Sequence, residues 1–203
     1  MNSRQLILEN LCVNRPKTEP MLPDIPLFDT PVPVDRVAKF KEAVVSMGGE
    51  IIHVQAQGLD AALKKYTDEA KVICSHVPEI KGNLEITGDT QPTDLADVDV
   101  GIVRASFAVA ETGSVCLTDA DFGINSLGYL PQHLIVLVDP EDIVYNLHHA
   151  YRRSEGKKHA YMAFHTGPSA TADIEGILIH GAQGVRSLSV ILQPRLQKKS
   201  EGK

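Results

Sequence analysis

Cysteine is scarce in this 203-residue chain, and its scarcity removes a class of chemistry. Cys12, Cys74 and Cys116 are odd in number, far apart and without a C-x-x-C pair, so neither a disulfide framework nor a protein-only zinc or iron-sulfur site is indicated. Cys74 closes the apolar run Lys71-Val-Ile-Cys74 and Cys116 sits within Ser114-Val-Cys-Leu117, which reads both as small core residues. A G-x-G-x-x-G fingerprint is also missing, so no dinucleotide cradle is indicated and no metal site is expected. Positive charge is in deficit. The net charge of -6 and the absence of an arginine-rich face would repel a nucleic-acid backbone. Long apolar runs are lacking too: Leu134-Ile-Val-Leu-Val138 is far too short to span a bilayer, and Met1 to Asn10 show no signal-peptide core. The expected location is the cytoplasm.

What is present is a large apolar inventory, 43% of residues, enough for one sizeable core. Three parts are expected: an extended N-terminal arm over 1–33, a main domain over 34–192 and a polar, solvated tail over 193–203. Prolines recurring from Pro16 to Pro33 keep residues 15–33 extended, in a form suited to wrapping a second subunit of a homo-oligomer. From Asp35, the apolar residues Val37, Phe40, Ala43, Val44 and Met47 recur at helical spacing until Gly48-Gly49 stops the helix. Ile51-Ile-His-Val54, a helix from Leu59 to Asp68 and Lys71 to Cys74 then read as one βαβ unit. Further strands are expected near Ile102, Val115, Val136, Met162 and Val190. Asp139-Pro140 is expected to start a helix from Glu141 to Arg153. Apolar strands alternating with helices predict a three-layer α/β/α domain with a mainly parallel sheet.

Two segments carry candidate chemistry. The first is Thr166-Gly-Pro-Ser-Ala-Thr-Ala-Asp-Ile-Glu175, which packs hydroxyls, glycine and carboxylates between apolar runs. Gly167-Pro168 marks a turn, and Ser169 or Thr171 suits the cap of a short helical turn whose backbone N–H groups would face an anion. Asp173 and Glu175 oppose that, favouring a cation, a hydroxyl-bearing substrate or a basic group of a partner. The second is Glu111-Thr-Gly113, which breaks the apolar sequence between Phe107 and Leu117. Glu111, Ser169, Thr171, Asp173 and Glu175 are expected to converge on one strand-end cleft, at the carboxyl ends where such sheets bind ligands. His165 precedes the first segment and His180 precedes Gly181, and either suits acid-base work on a hydroxy acid. Arg104 and Arg186 are candidates for gripping a small carboxylate in bidentate fashion.

Ala110-Glu-Thr-Gly-Ser-Val, Leu130-Pro-Gln-His-Leu-Ile-Val-Leu-Val138 and the Thr166–Glu175 segment, followed by Gly181-Ala-Gln-Gly184 and Arg186, together resemble the LUD domain. More narrowly they resemble the lactate-utilisation protein C family, in order from about Val34 to Leu192. The family's glycine-rich segment usually reads Gly-Val-His-Gly-Pro-Arg, and here Gln183 and Val185 stand where histidine and proline are expected. The resemblance implies a fold of the NagB/RpiA/CoA-transferase-like class. It also implies a role beside iron-sulfur partner proteins in oxidising L-lactate to pyruvate, with the clusters in those partners and no cofactor in this chain. Glu111, Asp173 and His165 are the catalytic candidates; Arg104, Gly113, Ser114, Gly167, Ser169, Thr171, Glu175 and Arg186 are the substrate-binding ones. A competing class is an acyl- or CoA-handling enzyme, because Glu111-Thr-Gly113 resembles the Glu-x-Gly of fold-related CoA transferases, where a glutamate attacks a thioester.

Overall fold

The computed structural model describes residues 2–17, 21–28, 35–54, 58–153, 158–173, 175–181 and 183–195. Its centre follows from the alternation of apolar side chains, because a strand apolar on both faces must be covered on both. In β6 (His133–Val138), Leu134, Val136 and Val138 enter one core cluster while Ile135 and Leu137 enter another. It lies between β3 (Val100–Arg104) and β11 (Ser187–Leu192), with β1 (Glu50–Ile52) and β2 (Ile73–Ser75) at the edges, all parallel in the order β1-β11-β6-β3-β2. Val100, His133 and Ser187 stand opposite one another, so the amino ends of the three central strands are level.

One face of this sheet is covered by α3 (Leu59–Thr67), through Leu63, and by Val77 and Ile80. The other face meets α2 (Arg36–Ser46), through Phe40 and Val44, and a second sheet. That sheet runs β7 (Ile143–Val144), β4 (Phe107–Val109), β5 (Ser114–Thr118), β8 (Met162–His165). Ala108, Val115 and Leu117 face the shared core together with Phe122 of α4 (Asp119–Phe122), whereas Phe107, Val109 and Cys116 turn outward onto Ala150 of α5 (Leu147–Arg152).

The fold is therefore α/β with a mainly parallel central sheet, and all seven expected strands are present. The strands at Val115 and Met162 pair antiparallel in the second sheet, so one cover of the central sheet is itself largely β rather than a layer of helices. The cause is length: residues 110–113 are too few for the crossover that parallel pairing needs, and β4 and β5 must form a hairpin. The expected βαβ unit also opens up, with β1 and β2 at opposite edges. These strands are short, and Glu50 is exposed, whereas the fully apolar β6 takes the centre.

The expected helix over 141–153 divides. Asp139 accepts from Glu141 N at 3.0 Å to close a turn, the β-branched Ile143 and Val144 pair with β4, and a new helix starts only where Asn146 Oδ1 accepts from His149 N at 3.0 Å. The first residues are not extended either: Asn2 caps a helix, α1 (Ser3–Asn14), which buries none of its side chains. Part of the following arm lies on α5, where Asn146 Nδ2 donates to Leu27 O at 2.7 Å and Arg152 to Ile25 O at 2.9 Å. Arg195, expected in a free tail, is bound to Asp142 and to the carbonyls of Ala105 and Ser106; residues 196–203 lie outside the described residues. Among the described residues no helix is long and apolar enough to cross a membrane.

Candidate functional site

A chain of three hydroxyls joins the two candidate segments. Ser114, at the start of β5 and 3% exposed, lies 2.7 Å from Thr112 Oγ1 and 2.6 Å from Thr166 Oγ1. Pairing of β5 with β8 brings them together, since Val115 stands opposite His165. They line a cleft of about 830 Å³ with Glu111, Lys39 and Glu42, and its apolar wall is Ala43, Met47, Leu147, Tyr151 and Phe164. Glu111 is exposed on its rim, where Oε2 accepts from Leu147 N at 3.4 Å. Opposite it, Lys39 and Glu42 lie 3.8 Å apart. The cleft offers an amphipathic wall, a string of groups that both donate and accept, and the Glu111 carboxylate on its rim.

Beyond Thr166 lies a second hollow of about 400 Å³, framed by Thr166–Ala170, Gly128, Tyr129 and Gln183–Val185. Ser169 N donates to Val185 O at 2.9 Å and Ser169 O accepts from Gly181 N at 2.7 Å, so the two glycine-containing segments are tied by their backbones. Among the described residues no helical turn is capped there. Ala170–Thr171 forms β9, antiparallel to β10 (Ile179–His180). Because side chains alternate along β8, His165 points away from Thr166 and packs on Tyr129 at 5.0 Å and Phe122 at 5.8 Å between ring centroids. Its Nε2 is buried without a hydrogen bond, and desolvation pushes its pKa down from 6.5 to about 4.

A histidine held neutral has a defined effect on stability. Between pH 6.5 and about 4 the unfolded chain binds a proton at this position that the folded chain does not, so stability falls as pH drops through that window. His165→Phe should remove up to one proton from the slope of unfolding free energy against pH, read from urea melts at several pH values. An unchanged slope would mean that His165 is solvated in the folded state.

Of the residues expected to converge, Glu111 lines the large cleft with Ser114, and Ser169 lines the smaller hollow with His165 and Gly167, Thr166 lining both, while Gly113 lies against the backbone of α2. Thr171, Asp173 and Glu175 line neither. Thr171 Oγ1 donates to Asp173 Oδ2 at 3.0 Å in an exposed turn, and Glu175 is exposed. Arg104 and Arg186 are separated by the length of the sheet, about 16 Å at five residues of strand, since Arg104 ends β3 and Arg186 precedes β11. Arg104 is not free to hold a ligand: it bonds Glu79 Oε1 at 2.5 Å and Gln193 O at 2.8 Å. With Arg195 reaching Ala105 O at 3.0 Å and Asp142 at 3.1 Å, ion pairs close the carboxyl ends of the central strands. Sequence reasoning missed Lys39, Glu42 and Ser46 as cleft residues, although their i, i+3 and i+4 spacing puts them on one stripe of α2. Among the described residues no group of three or more His, Cys, Asp and Glu side chains is placed to hold a metal ion.

Comparison with known proteins agrees with this α/β frame. The model of the LUD domain matches residues 89–193, more than half of the chain, and the chain belongs to the LUD domain family. Among individual relatives, it is 26% identical over 184 residues to a protein from Deinococcus radiodurans named Lactate utilization protein C, covering 83% of this chain and 85% of that one. A protein of the same name from Shouchella clausii is 32% identical over 91 residues, 42% of this chain and 40% of the other. The crystal structure of a DUF162 family protein from Deinococcus radiodurans superposes with a TM-score of 0.62 at 20% identity, covering 79% of this chain and 99% of that one.

Proposed function

We propose that the chain is a non-redox subunit of an L-lactate utilisation system, working with iron-sulfur partner proteins that take up the electrons released as lactate is oxidised to pyruvate. The observation that carries this reading is the 184-residue likeness to a Lactate utilization protein C over most of both chains. The cysteines support it: Cys12 is exposed on α1, while Cys74 and Cys116 are buried in different core clusters, and burial raises the Cys74 thiol pKa to about 11, away from the thiolate that ligation requires. The test is genetic and biochemical. Deleting the gene should abolish growth on L-lactate and leave growth on pyruvate intact, with recovery on re-expression. Lactate oxidation by the purified chain alone, or unimpaired growth of the deletion strain on lactate, would overturn it.

A second reading keeps one specific observation, the exposed Glu111 carboxylate on the rim of an 830 Å³ cleft. As a CoA-transferase-like nucleophile, its oxygen would attack a thioester carbonyl and expel CoA thiolate, leaving an acyl-glutamyl anhydride. Mass spectrometry after reaction with an acyl-CoA should then show an acyl or CoA adduct on the Glu111 peptide that is absent from Glu111→Gln. No adduct across short-chain acyl-CoAs disposes of this reading.

A further inference from the structure

The amino ends of the central strands, unlike their closed carboxyl ends, border an open hollow of about 380 Å³ lined by residues of α3, β6 and the segment before β11. Most of its charges are already answered. Lys65 Nζ lies 3.0 Å and 3.1 Å from the two Glu50 carboxylate oxygens, and Asp99 Oδ2 accepts from Lys71 N at 2.7 Å and Val72 N at 2.9 Å. Tyr66 OH bonds Ser189 Oγ at 2.7 Å and the Glu50 carboxylate. Among the described residues Glu69 has no such partner, and neither has Arg186. Its backbone N–H is anchored on Gln132 O at 2.8 Å, but its guanidinium makes no hydrogen bond or ion pair among the described residues. Beside it, His133 is fixed through Nδ1 to Ser187 Oγ at 2.7 Å, which leaves Nε2 for a ligand.

We propose that this hollow binds a small monocarboxylate with an oxygen on the adjacent carbon, a 2-hydroxy or 2-oxo acid. The Arg186 fork takes the carboxylate and His133 Nε2 takes the 2-oxygen. One unspent guanidinium matches one negative charge, and the carboxylates of Glu69 and Asp99 in the same wall disfavour a dianion such as phosphate. The imidazole suits both oxygen types. When Ser187 donates to Nδ1, Nε2–H donates to a keto oxygen; when Nδ1–H donates to Ser187, Nε2 accepts from a hydroxyl. Burial and the nearby Arg186 lower the His133 pKa, which favours the neutral ring that this choice requires. The hollow lies apart from the cleft holding Glu111 and is the smaller of the two.

The choice of lactate and pyruvate as probes rests on the lactate-utilisation reading; the site itself does not. Calorimetric titration of the full chain should show binding of L-lactate and pyruvate, with propionate, which lacks the 2-oxygen, and inorganic phosphate each at least about 10-fold weaker. Arg186→Gln and His133→Gln should each weaken lactate by about 10-fold or more. Lactate should also shift the His133 ring resonances, a readout that survives if a variant folds poorly. Absence of lactate and pyruvate binding, equal binding of propionate or phosphate, or unchanged affinity in both variants would overturn the proposal. The two readings fail separately: a deletion strain that cannot grow on lactate while the chain binds no lactate retains the function and removes this site, and the reverse pattern does the opposite.

Discussion

Glu79→Ala should destabilise the protein by about 3–5 kcal/mol, because it leaves a buried guanidinium without its counter-ion. The Arg104 and Glu79 side chains are only 11% and 9% exposed and meet at 2.5 Å, so neither charge has water as a substitute partner. Arg104 also donates to Gln193 O at 2.8 Å, which ties the carboxyl end of β3 to the residue after β11. Arg104→Ala should therefore be as costly, and the double variant should cost clearly less than the two single losses combined, since removing both partners leaves no isolated charge. Urea unfolding followed by circular dichroism gives all three values. Losses below about 1 kcal/mol for both single variants would show a pair of surface character and return Arg104 to the list of ligand-gripping residues. The experiment thus decides whether the carboxyl ends of the central strands are a closed, load-carrying end of the sheet or a site.

That question also shows what the sequence made legible. β6 was plain because Leu134 to Val138 is a continuous apolar run, and α2 and α3 were plain because Phe40 and Val44 in the one, and Leu59, Leu63 and Tyr66 in the other, repeat at helical spacing. The placement of the two arginines was legible in principle. Arg104 follows its strand and Arg186 precedes its own, and in a parallel sheet those are opposite ends. Naming both as candidates for gripping a carboxylate took no account of this. The split of the 141–153 segment was hidden because Ile143 and Val144 fit helical and strand patterns equally, and only pairing with β4 decides between them. The Ser114 to Thr166 contact was less accessible still, since it depends on the register of strands whose residues lie 52 apart in sequence. Periodicity reports which face of an element is apolar; it does not report which strand lies next to which. For that reason the motif segments were recognisable, while the division of their residues between two hollows and an exposed turn was not.

Gly113→Ala should cost about 2–4 kcal/mol, and the reason bears directly on what the Glu111-Thr-Gly113 segment is for. Gly113 has φ of +68°, and a Cβ built there would stand 2.5 Å from Val44 N and 2.6 Å from Ala43 C. Those atoms are the backbone of α2, which cannot yield as the end of a flexible side chain can. Left-handed strain of about 1–2 kcal/mol adds to the cost of displacing the helix. The same helix receives the other segment: a Cβ on Gly167, at φ +65°, would meet Met47 O at 2.1 Å. Both motif glycines thus dock their loops against the carboxyl-terminal half of α2 and its cap, the element whose Lys39, Glu42 and Ser46 line the large cleft. On this account Gly113 closes a helix-to-hairpin contact, whereas in a CoA-transferase-like site it would keep space open for an acyl group. Thermal and urea melts of Gly113→Ala separate the two. A loss of 2 kcal/mol or more places the glycine in the packing of α2, while a variant of unchanged stability that blocks ligand entry to the cleft would give it a role in the site.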